Sequence, residues 1–399
     1  MSKNNENKLV PKLRFPEFIN EIWKRKTIDE TCEVLNNLRK PLTSNLREKG
    51  EYPYYGASGI IDFVKDFIFN ERLLLIGEDG AKWGAYEKTA FIAEGKYWVN
   101  NHAHVLKPTG VEDTLLENYL VKLDLSPFIT GAAPPKLTLG KLKSIPVPIP
   151  NSRKEQQKIA DCLSSLDEVI KAESQKLDVL KEHKKSLLQN LLPQAGETVP
   201  KFRFKQFEDS GEWQETTLTQ VADYENGKAH EQDIADDGKF IVVNSKFISQ
   251  DGEVKKFTNT AFLPATKGDV LMVLSDIPNG KAIAKCFLVE EDNRYTVNQR
   301  ICRITPRNVN SKILYYLLNR NPYFLAFDDG VKQTNLRKED VLNCPLLIPE
   351  DPKEQENIAD TLSSVDDFIK GQIEKLEALQ LHKKGLLQGL FPNVNEVTA

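Results

Sequence analysis

The sequence predicts a mixed α/β chain in which two tandem modules alternate with two long α-helices. Three observations support this prediction: an internal repeat with a period near 200 residues, a heptad-like apolar pattern inside each repeated segment, and short strand-like runs elsewhere. The chain has 399 residues, of which 40% are hydrophobic and 28% charged. This length exceeds one ordinary domain, and the apolar content is sufficient for several cores.

The repeat is strongest between residues 154–193 and 353–392, where 23 of 40 aligned positions are identical at an offset of 199. Weaker similarity upstream includes PKLRFPEF (11–18) and PKFRFKQF (200–207). A period this long indicates a duplicated domain with its helix and not a solenoid. The predicted limits are 1–150 for the first module, 151–193 for the first helix, 194–350 for the second module, 351–393 for the second helix and 394–399 for a C-terminal tail.

Both repeated segments carry helix signals. Ser152 and Glu155 form a capping-box pattern, Pro352 suits the first turn of the second helix, and Pro193 and Pro392 end the two segments. Apolar residues recur at heptad spacing, which predicts a packed seam on each helix. The predicted seam residues are Ile159, Leu163, Leu166, Ile170, Leu177, Leu180 and Leu187 in the first helix, and Ile358, Leu362, Val365, Ile369, Leu376, Leu379 and Leu386 in the second.

Polar residues interrupt the two seams at equivalent positions, namely Glu173 and Lys184 in the first helix and Gln372 and Lys383 in the second. Polar residues at seam positions are typical of helices that pair in one specified register. An oligomerising coiled coil with a partner helix in another chain is one interpretation. The other, which we favour, is an intramolecular antiparallel coiled-coil spacer, with the duplicated halves related by a pseudo-twofold axis.

The modules combine short strands with one helical stretch each. Strand-like runs include RLLLIGEDG (72–80) and GDVLMVLSD (268–276), and the helical stretches are LLENYLVKL (115–123) and SKILYYLLNR (311–320). A polar, Gly-containing loop and a Pro-rich exit follow each helical stretch. Because loops on such scaffolds carry variable function, we expect the functional side chains there.

Several loop residues have the chemistry to read DNA base edges. Asn and Gln pair with adenine, Lys and Arg with guanine, and Ser or Thr with either. Any single one of them can equally be a solvated loop or turn residue. The candidate DNA-binding residues are Tyr54, Tyr55, Ser58, Lys82, Trp83, Asn101, His102, His104 and Lys136 in the first module, and Asn244, Ser245, Lys246, Ser275, Asn279, Lys281, Asn298, Gln299, Arg300, Lys332 and Gln333 in the second.

Motifs for catalysis are missing from the sequence. There is no phosphate-binding loop, no G-x-G-x-x-G and no Asn/Asp-Pro-Pro-aromatic motif, and GEDGAKWG (77–84) is predicted to be a turn. His102-x-His104 is a metal-like pair, but no acid or cysteine close to it in the sequence completes a metal site. We therefore predict no catalytic residue, no metal and no cofactor bound by this chain.

Charge, cysteine content and hydropathy bound the class of protein. The five cysteines are scattered and odd in number, no apolar run is long enough to span a membrane, and the N-terminus lacks a signal-peptide core. These features predict a reduced cytoplasmic protein without membrane contact. A net charge of −4 argues against wrapping DNA by bulk charge. The second module is the more acidic. Either a local basic patch or phosphate contacts supplied by partner subunits would still allow such a chain to read DNA.

The chain resembles the specificity (S) subunits of type I restriction–modification systems, the HsdS family, over residues 8–393. The resemblance rests on YPYYGASGIID (52–62), the two KEQ-x-x-IAD-x-LSS helices that begin at Lys154 and Lys353, the Pro-rich exits before them, and the RF-x-x-F module starts. Two helix copies in one register are a more specific signal than a single short motif.

This resemblance implies a division of labour. Each module would be a target recognition domain that reads one half of a bipartite, asymmetric site in double-stranded DNA, and the helices would set the gap. Two modification subunits, which bind S-adenosylmethionine and methylate adenine at N6, would dock on the chain. Two restriction subunits, which use ATP and Mg²⁺, would complete a nuclease. The alternatives are a two-module protein-interaction scaffold, and an enzyme such as a nuclease with an unrecognised site.

Overall fold

The computed structural model describes residues 9–194, 196–278 and 280–393. The predicted tail, 394–399, lies outside the described residues. Two helices of 39 residues each, α4 and α10, dominate the helical content. The helices are α1 (Ile28–Thr31), α2 (Asp113–Lys122), α3 (Leu139–Lys143), α4 (Arg153–Leu191), α5 (Leu218–Val221), α6 (Ser245–Ser249), α7 (Ser311–Leu318), α8 (Pro322–Leu325), α9 (Lys338–Leu342) and α10 (Pro352–Leu390).

Within the described residues the strands are short and fall into two sets, ten before α4 and thirteen between α4 and α10. The first set is β1 (Trp23–Thr27), β2 (Cys32–Val34), β3 (Lys49–Gly56), β4 (Gly59–Val64), β5 (Phe69–Asn70), β6 (Leu73–Gly77), β7 (Ala90–Ala93), β8 (Lys96–Val99), β9 (Ala103–Pro108) and β10 (Pro146–Pro150). The second set is β11 (Gln214–Thr217), β12 (Ala222–Asn226), β13 (Ile234–Ala235), β14 (Phe240–Val243), β15 (Phe257–Thr258), β16 (Pro264–Ala265), β17 (Val270–Val273), β18 (Ser275–Asp276), β19 (Cys286–Leu288), β20 (Tyr295–Val297), β21 (Ile301–Pro306), β22 (Thr334–Asn335) and β23 (Pro345–Ile348).

The chain divides into two compact units, and each unit contains one module and parts of both long helices. The first unit is Met1–Lys176 with Gln372–Ala399, and the second is Leu177–Gly371. The mixed α/β, duplicated fold class is therefore confirmed. The element-by-element limits given above, which keep each helix separate from the modules, stay a prediction.

In the first unit, two four-stranded sheets are layered beneath helix α2. Their strand orders are β2-β9-β6-β7 and β4-β3-β8-β5, and only β3 and β8 pair in parallel. Strand β6 is buried along its whole length. Because successive side chains of a strand point to opposite faces, Leu74 and Ile76 join the core with α2, while Leu73 and Leu75 join the core of the second sheet.

The second unit repeats this layering with different side chains. Its main sheets have the orders β12-β21-β17-β19 and β13-β15-β14-β20-β16, and β14 pairs in parallel with β20 as β3 does with β8. Strand β17 takes the place of β6. Val270 and Met272 pack in the core that contains α7, and Leu271 and Val273 pack towards β14 and β20.

The Pro-rich exit of each module returns to the module's own start. Strand β10 pairs antiparallel with β1, placing Pro146 opposite Thr27 and Pro150 opposite Trp23. In the second unit, β23 pairs with β11 in the same way. Both ladders have only two strands, so each proline can turn its donor-free nitrogen away from the partner strand, which is where sheets tolerate proline.

A buried glutamate anchors the first turn of each long helix to its module. Glu155 accepts two hydrogen bonds of 2.8 Å from the Arg14 guanidinium and one of 3.1 Å from the Trp23 indole. Glu354 accepts equivalent bonds of 2.7 and 2.8 Å from Arg203. The repeated KEQ and RF motifs therefore belong to one structural device, which joins a module start to a helix start.

In the first unit, the end of α10 lies antiparallel to α4. Gln372 donates to the Glu173 carboxylate at 2.6 Å and to its backbone oxygen at 2.9 Å. Further along, Lys383 pairs with Asp167 at 2.5 Å. The partner number falls along α4 as it rises along α10, so the helices run in opposite directions.

The second unit contains the matching contact. Lys184 pairs with Asp366 at 2.5 Å, and these residues are the equivalents, 199 positions away, of Lys383 and Asp167. The polar interruptions of the predicted seam are thus occupied by cross-helix ion pairs and hydrogen bonds. Because these groups find partners only in one alignment, they specify the antiparallel register.

All fourteen predicted seam side chains are buried or partly buried. Those nearest the helix starts pack on the modules and not only on the other long helix. Ile159 and Leu163 join the core that contains α2, and Ile358 and Leu362 join a core with Trp213. One heptad pattern therefore serves two kinds of contact along each helix.

Candidate nucleic-acid interface

Three polar segments meet at one end of the first module. They are 77–79 at the end of β6, 100–102 between β8 and β9, and 130–137 before α3. Backbone hydrogen bonds of 2.8 Å run from Glu78 nitrogen to His102 oxygen, and from Leu137 nitrogen to Glu78 oxygen. We call these segments the first loop end.

Charged side chains of opposite sign converge on the first loop end. Asp79 pairs with Lys136 at 2.9 Å and also contacts the His102 imidazole. Partial burial raises the pKa of Asp79, whereas the hydrogen bonds from Lys136 and His102 lower it. Together these two bonds have the larger effect, so the pKa of Asp79 lies below its ordinary value. Arg39 pairs with Glu78 at 2.7 Å. The first loop end therefore presents charges that are already paired with one another.

The remaining predicted residues of the first module occupy different environments. Tyr54 is buried, and its hydroxyl lies 2.9 Å from Leu42 nitrogen. Tyr55 and Trp83 are half-buried, and Trp83 packs against the core. The exposed members of the predicted set are Ser58, Lys82, Asn101 and His102.

His104 is also enclosed, with 1% of its surface exposed. Burial leaves neither the Tyr54 nor the His104 side chain free to touch DNA, so direct base contact is not their role. Both instead hold neighbouring backbone in place. Tyr54 lies on the covered face of β3, and His104 lies in the stretch of β9 that is buried on both faces. Which strand faces are covered depends on the assembled sheets, which the local sequence did not reveal.

The second module builds the same backbone frame. Leu274 nitrogen bonds to Arg300 oxygen and Leu336 nitrogen bonds to Leu274 oxygen, both at 2.8 Å. Ser275 pairs with Asn335 across β18 and β22, as Asp79 bridges Lys136 in the first module. We call segments 274–276, 298–300 and 333–336 the second loop end.

Side chains at the second loop end are mostly neutral hydrogen-bonding groups. Gln333 donates to the Ser275 hydroxyl at 2.6 Å, and Gln299 donates to Glu231 at 3.1 Å. Asn298 accepts a bond of 3.2 Å from His230 nitrogen. The predicted residues Arg300, Lys332 and Lys281 are exposed, and Arg300 has a positive φ of 68°. Asn279 lies outside the described residues.

The two modules differ most at the segment that follows β3 and β14. Equivalent bonds join Asn100 nitrogen to Tyr55 oxygen, and Asn298 nitrogen to Val243 oxygen. After these points the first module forms the β3–β4 hairpin. The second forms helix α6, which Asn244 caps by accepting from Phe247 nitrogen at 2.9 Å.

The predicted residues Ser245 and Lys246 lie on α6, half-buried and exposed respectively. The sequence prediction missed several polar residues in or bonded beside the loop ends: Asn36, Arg39, Glu78 and Asp79 in the first module, and His230, Glu231 and Thr296 in the second. A polar Gly-rich turn after a fully apolar strand was the available signal for Glu78 and Asp79. His230 and Thr296 carry no comparable signal.

Among the described residues, no group of three or more His, Cys, Asp or Glu side chains is arranged to hold a metal ion. All five cysteines are free thiols. In the part of the chain that the structure describes, no helix is both long and apolar enough to cross a membrane.

Comparison with known proteins shows which family shares this duplicated architecture. The family model of the type I restriction modification DNA specificity domain matches residues 20–182 and 210–378, one copy for each module. The specificity subunit of the type I restriction enzyme MjaVIII from Methanocaldococcus jannaschii is 24% identical, with 95% of this chain and 93% of that protein aligned.

Two further relatives match over shorter segments. A Haemophilus influenzae protein assigned as type I restriction enzyme specificity subunit S.HindORF215P is 39% identical over 145 residues, which span 35% of this chain and 37% of that protein. The EcoprrI specificity subunit of Escherichia coli is 28% identical over 148 residues, or 36% of each chain.

Solved structures share the fold. The S subunit of a type I restriction–modification system from M. genitalium has a TM-score of 0.66 at 15% identity, covering 96% of this chain and 99% of that one. A chain from a structure of type I R-M complex assembly and conformational transition has a TM-score of 0.53 at 15% identity, with 93% and 98% covered. With both modules matched by the family model, this chain belongs to the type I restriction modification DNA specificity domain family.

Proposed function

We propose that this chain is the sequence-specific DNA-binding subunit of a type I restriction–modification complex, and that each module reads one half of a bipartite, asymmetric site. One observation carries the proposal. The two loop ends share a backbone frame but present different side chains. A duplicated frame with divergent readers is what an asymmetric two-part target requires.

The chemistry of each loop end fits base-edge recognition. At the first loop end, Asp79 holds Lys136 and His102. When DNA binds, these two side chains would exchange Asp79 for acceptor atoms of guanine or thymine. At the second, Gln299 and Gln333 are amides that can pair with adenine, and Arg300 is an exposed guanidinium suited to guanine. The two halves of the target therefore differ in base composition.

The long helices serve as the spacer and as docking sites for two modification subunits. Their sequences are identical at 23 of 40 aligned positions while the modules have diverged, which favours two equivalent contacts with one kind of partner. S-adenosylmethionine would be bound by those subunits, and ATP with Mg²⁺ by two restriction subunits. This chain contributes specificity without catalysis. Phosphate contacts come largely from partners, in keeping with its net charge of −4.

Genomic methylation mapping tests the proposal directly. Cells that express this chain with its modification subunit should gain N6-methyladenine at a two-part motif with a constant unspecified gap. Cells with the modification subunit alone should gain none. If both subunits assemble and no new motif appears, the chain is an interaction scaffold and the proposal fails.

A further inference from the structure

Each module encloses one histidine beneath its loop end. His104 and His230 are each 1% exposed. By contrast, His183 on α4 and His382 on α10, which occupy the same position of the repeat, are exposed. Buried histidines need partners for both ring nitrogens, and those partners identify what each imidazole holds.

In the first module, His104 joins the sheet to segment 130–137. Nε2 lies 2.7 Å from Leu137 oxygen, so Nε2 carries the proton and donates it. Nδ1 accepts from the Asn36 amide at 2.8 Å. That amide is oriented because its oxygen accepts from Val105 nitrogen at 3.0 Å. The neutral tautomer thus fastens the segment that carries Lys136.

In the second module, His230 holds segment 298–300 by other contacts. Nδ1 donates to Lys228 oxygen at 2.7 Å, and the same oxygen accepts from Gln299 nitrogen at 3.1 Å. His230 nitrogen donates to the Asn298 side chain at 3.2 Å. Nε2 lies 3.0 Å from the Thr296 hydroxyl, which completes the ring's partners.

We propose that His104 and His230 are positioning residues, and that each sets recognition of its own half-site only. Neither imidazole can reach DNA, so each acts through the segment that it fastens. The inference rests on the proposed function. It adds that specificity depends on a buried layer which differs between modules: His104 lies within β9, and His230 lies in the loop before β13.

The test is methylation mapping of variants in the full chain, expressed with its modification subunit. His104→Leu should lower methylation of the original motif about tenfold, as expected for one lost buried hydrogen bond. It should widen the bases tolerated in one half only and leave the other half and the gap unchanged. His230→Leu should do the same in the opposite half.

Matched variants separate positioning from general stability. His104→Gln and His230→Asn retain an N–H donor near the original carbonyl partner and should keep the motif. Glu21→Leu and Glu208→Leu, which replace exposed residues at the two module starts, should alter neither half. If either buried-site leucine variant changes both halves, or lowers methylation evenly without changing the motif, the histidine is merely structural and the inference is overturned.

A second pair of variants decides the matter if the leucine variants fail to assemble. Asn36→Ala and Thr296→Val each remove one ring partner and keep the imidazole. If each variant widens the bases tolerated in one half of the motif, and the two variants affect opposite halves, the inference is supported. If both variants leave the motif unchanged, the inference is overturned. Absence of any two-part motif with the unaltered chain would instead count against the proposed function.

Discussion

Glu155 and Glu354 show at the residue scale why two segments of this chain stayed alike. Each carboxylate is almost fully buried, at 0% and 1% exposure, and each is paired with an arginine from its module start. A buried charge is tolerated only with such partners, so neither the glutamate nor its arginine can change alone. The repeat therefore preserves an anchoring device, separately from any contact with DNA.

Removing one of these carboxylates should destabilise the unit that contains it. Glu155→Ala leaves Arg14 without its carboxylate partner and the Trp23 indole without its acceptor, and we expect a loss of about 3–5 kcal/mol in the free energy of unfolding. Urea denaturation measures it. Glu354→Ala should act similarly through Arg203, whereas Glu48→Ala, which breaks an exposed pair with Lys65, should cost below about 1 kcal/mol. Equal effects from all three variants would contradict the anchoring role.

The buried His104 should make stability depend on pH. The pKa of His104 lies below its ordinary value of 6.5, mainly because the imidazole is buried. The Leu137 carbonyl and the carboxylates of Glu78 and Asp79 raise this pKa, and the Arg39 guanidinium lowers it, but burial has the largest effect. The unfolded chain therefore binds a proton that the folded chain resists. This contribution to stability is complete above pH 6.5 and declines as pH falls from 6.5 towards the lowered pKa.

The measurement is the free energy of unfolding of the unaltered chain and of His104→Gln at several pH values from about 5 to 8. This range brackets the ordinary pKa of histidine. The advantage of the unaltered chain should shrink as pH falls below 6.5. Because glutamine does not titrate, the difference isolates His104 from other groups. A difference that grows on acidification would mean that the folded state favours the charged imidazole.

At the scale of elements, the hairpin β3–β4 distinguishes the first module from the second. Ile60 and Ile61 are 48% and 53% exposed on this hairpin, and Gly56 before its turn lies beside Ile61 and Asn100. Exposed apolar side chains next to a loop end are suited to contact thymine methyl groups. Helix α6, which stands in the equivalent place, offers Lys246 instead.

The double variant Ile60→Asn with Ile61→Asn should therefore alter base preference in one half-site. The free energy of unfolding should change by less than about 0.5 kcal/mol per residue, because both side chains are already exposed. Methylation mapping reads the half-site, and urea denaturation reads stability. Ile19→Asn with Ile22→Asn is the control, since these isoleucines are 64% and 62% exposed in the turn before β1. An unchanged motif would remove the hairpin from recognition.

A second element-scale prediction concerns the outer faces of α4 and α10. Val169 and Phe368 occupy equivalent positions and are 45% and 67% exposed. An exposed apolar side chain at the same position of both long helices suits two copies of one partner. Phe368→Ser should weaken binding of one modification subunit about tenfold or more, as hot-spot aromatic residues do. Titration with that subunit measures it, and Val179→Ser, 68% exposed, is the control that should bind normally.

The long helices were the most predictable elements, and the loop ends the least. Periodicity and capping signals predicted helices at 151–193 and 351–393, and the structure has Arg153–Leu191 and Pro352–Leu390. The apolar seam follows the same heptad spacing along the whole helix, so the sequence alone is sufficient to predict it. By contrast, the burial of Tyr54 and the hydrogen bond between Ser275 and Gln333 depend on contacts between residues that are far apart in sequence. Only the assembled sheets bring these together.

At the scale of the whole molecule, the spacer role predicts how the target should change with helix length. Deleting residues 171–177 and 370–376 removes one heptad from each long helix and preserves the spacing of the seam. Each helix shortens by about 10 Å at about 1.5 Å per residue, which corresponds to about three base pairs at 3.4 Å each. Methylation mapping should find both half-sequences unchanged and the gap about three base pairs shorter. Altered half-sequences with the original gap would contradict the spacer role, because the modules and their loop ends are untouched by the deletion.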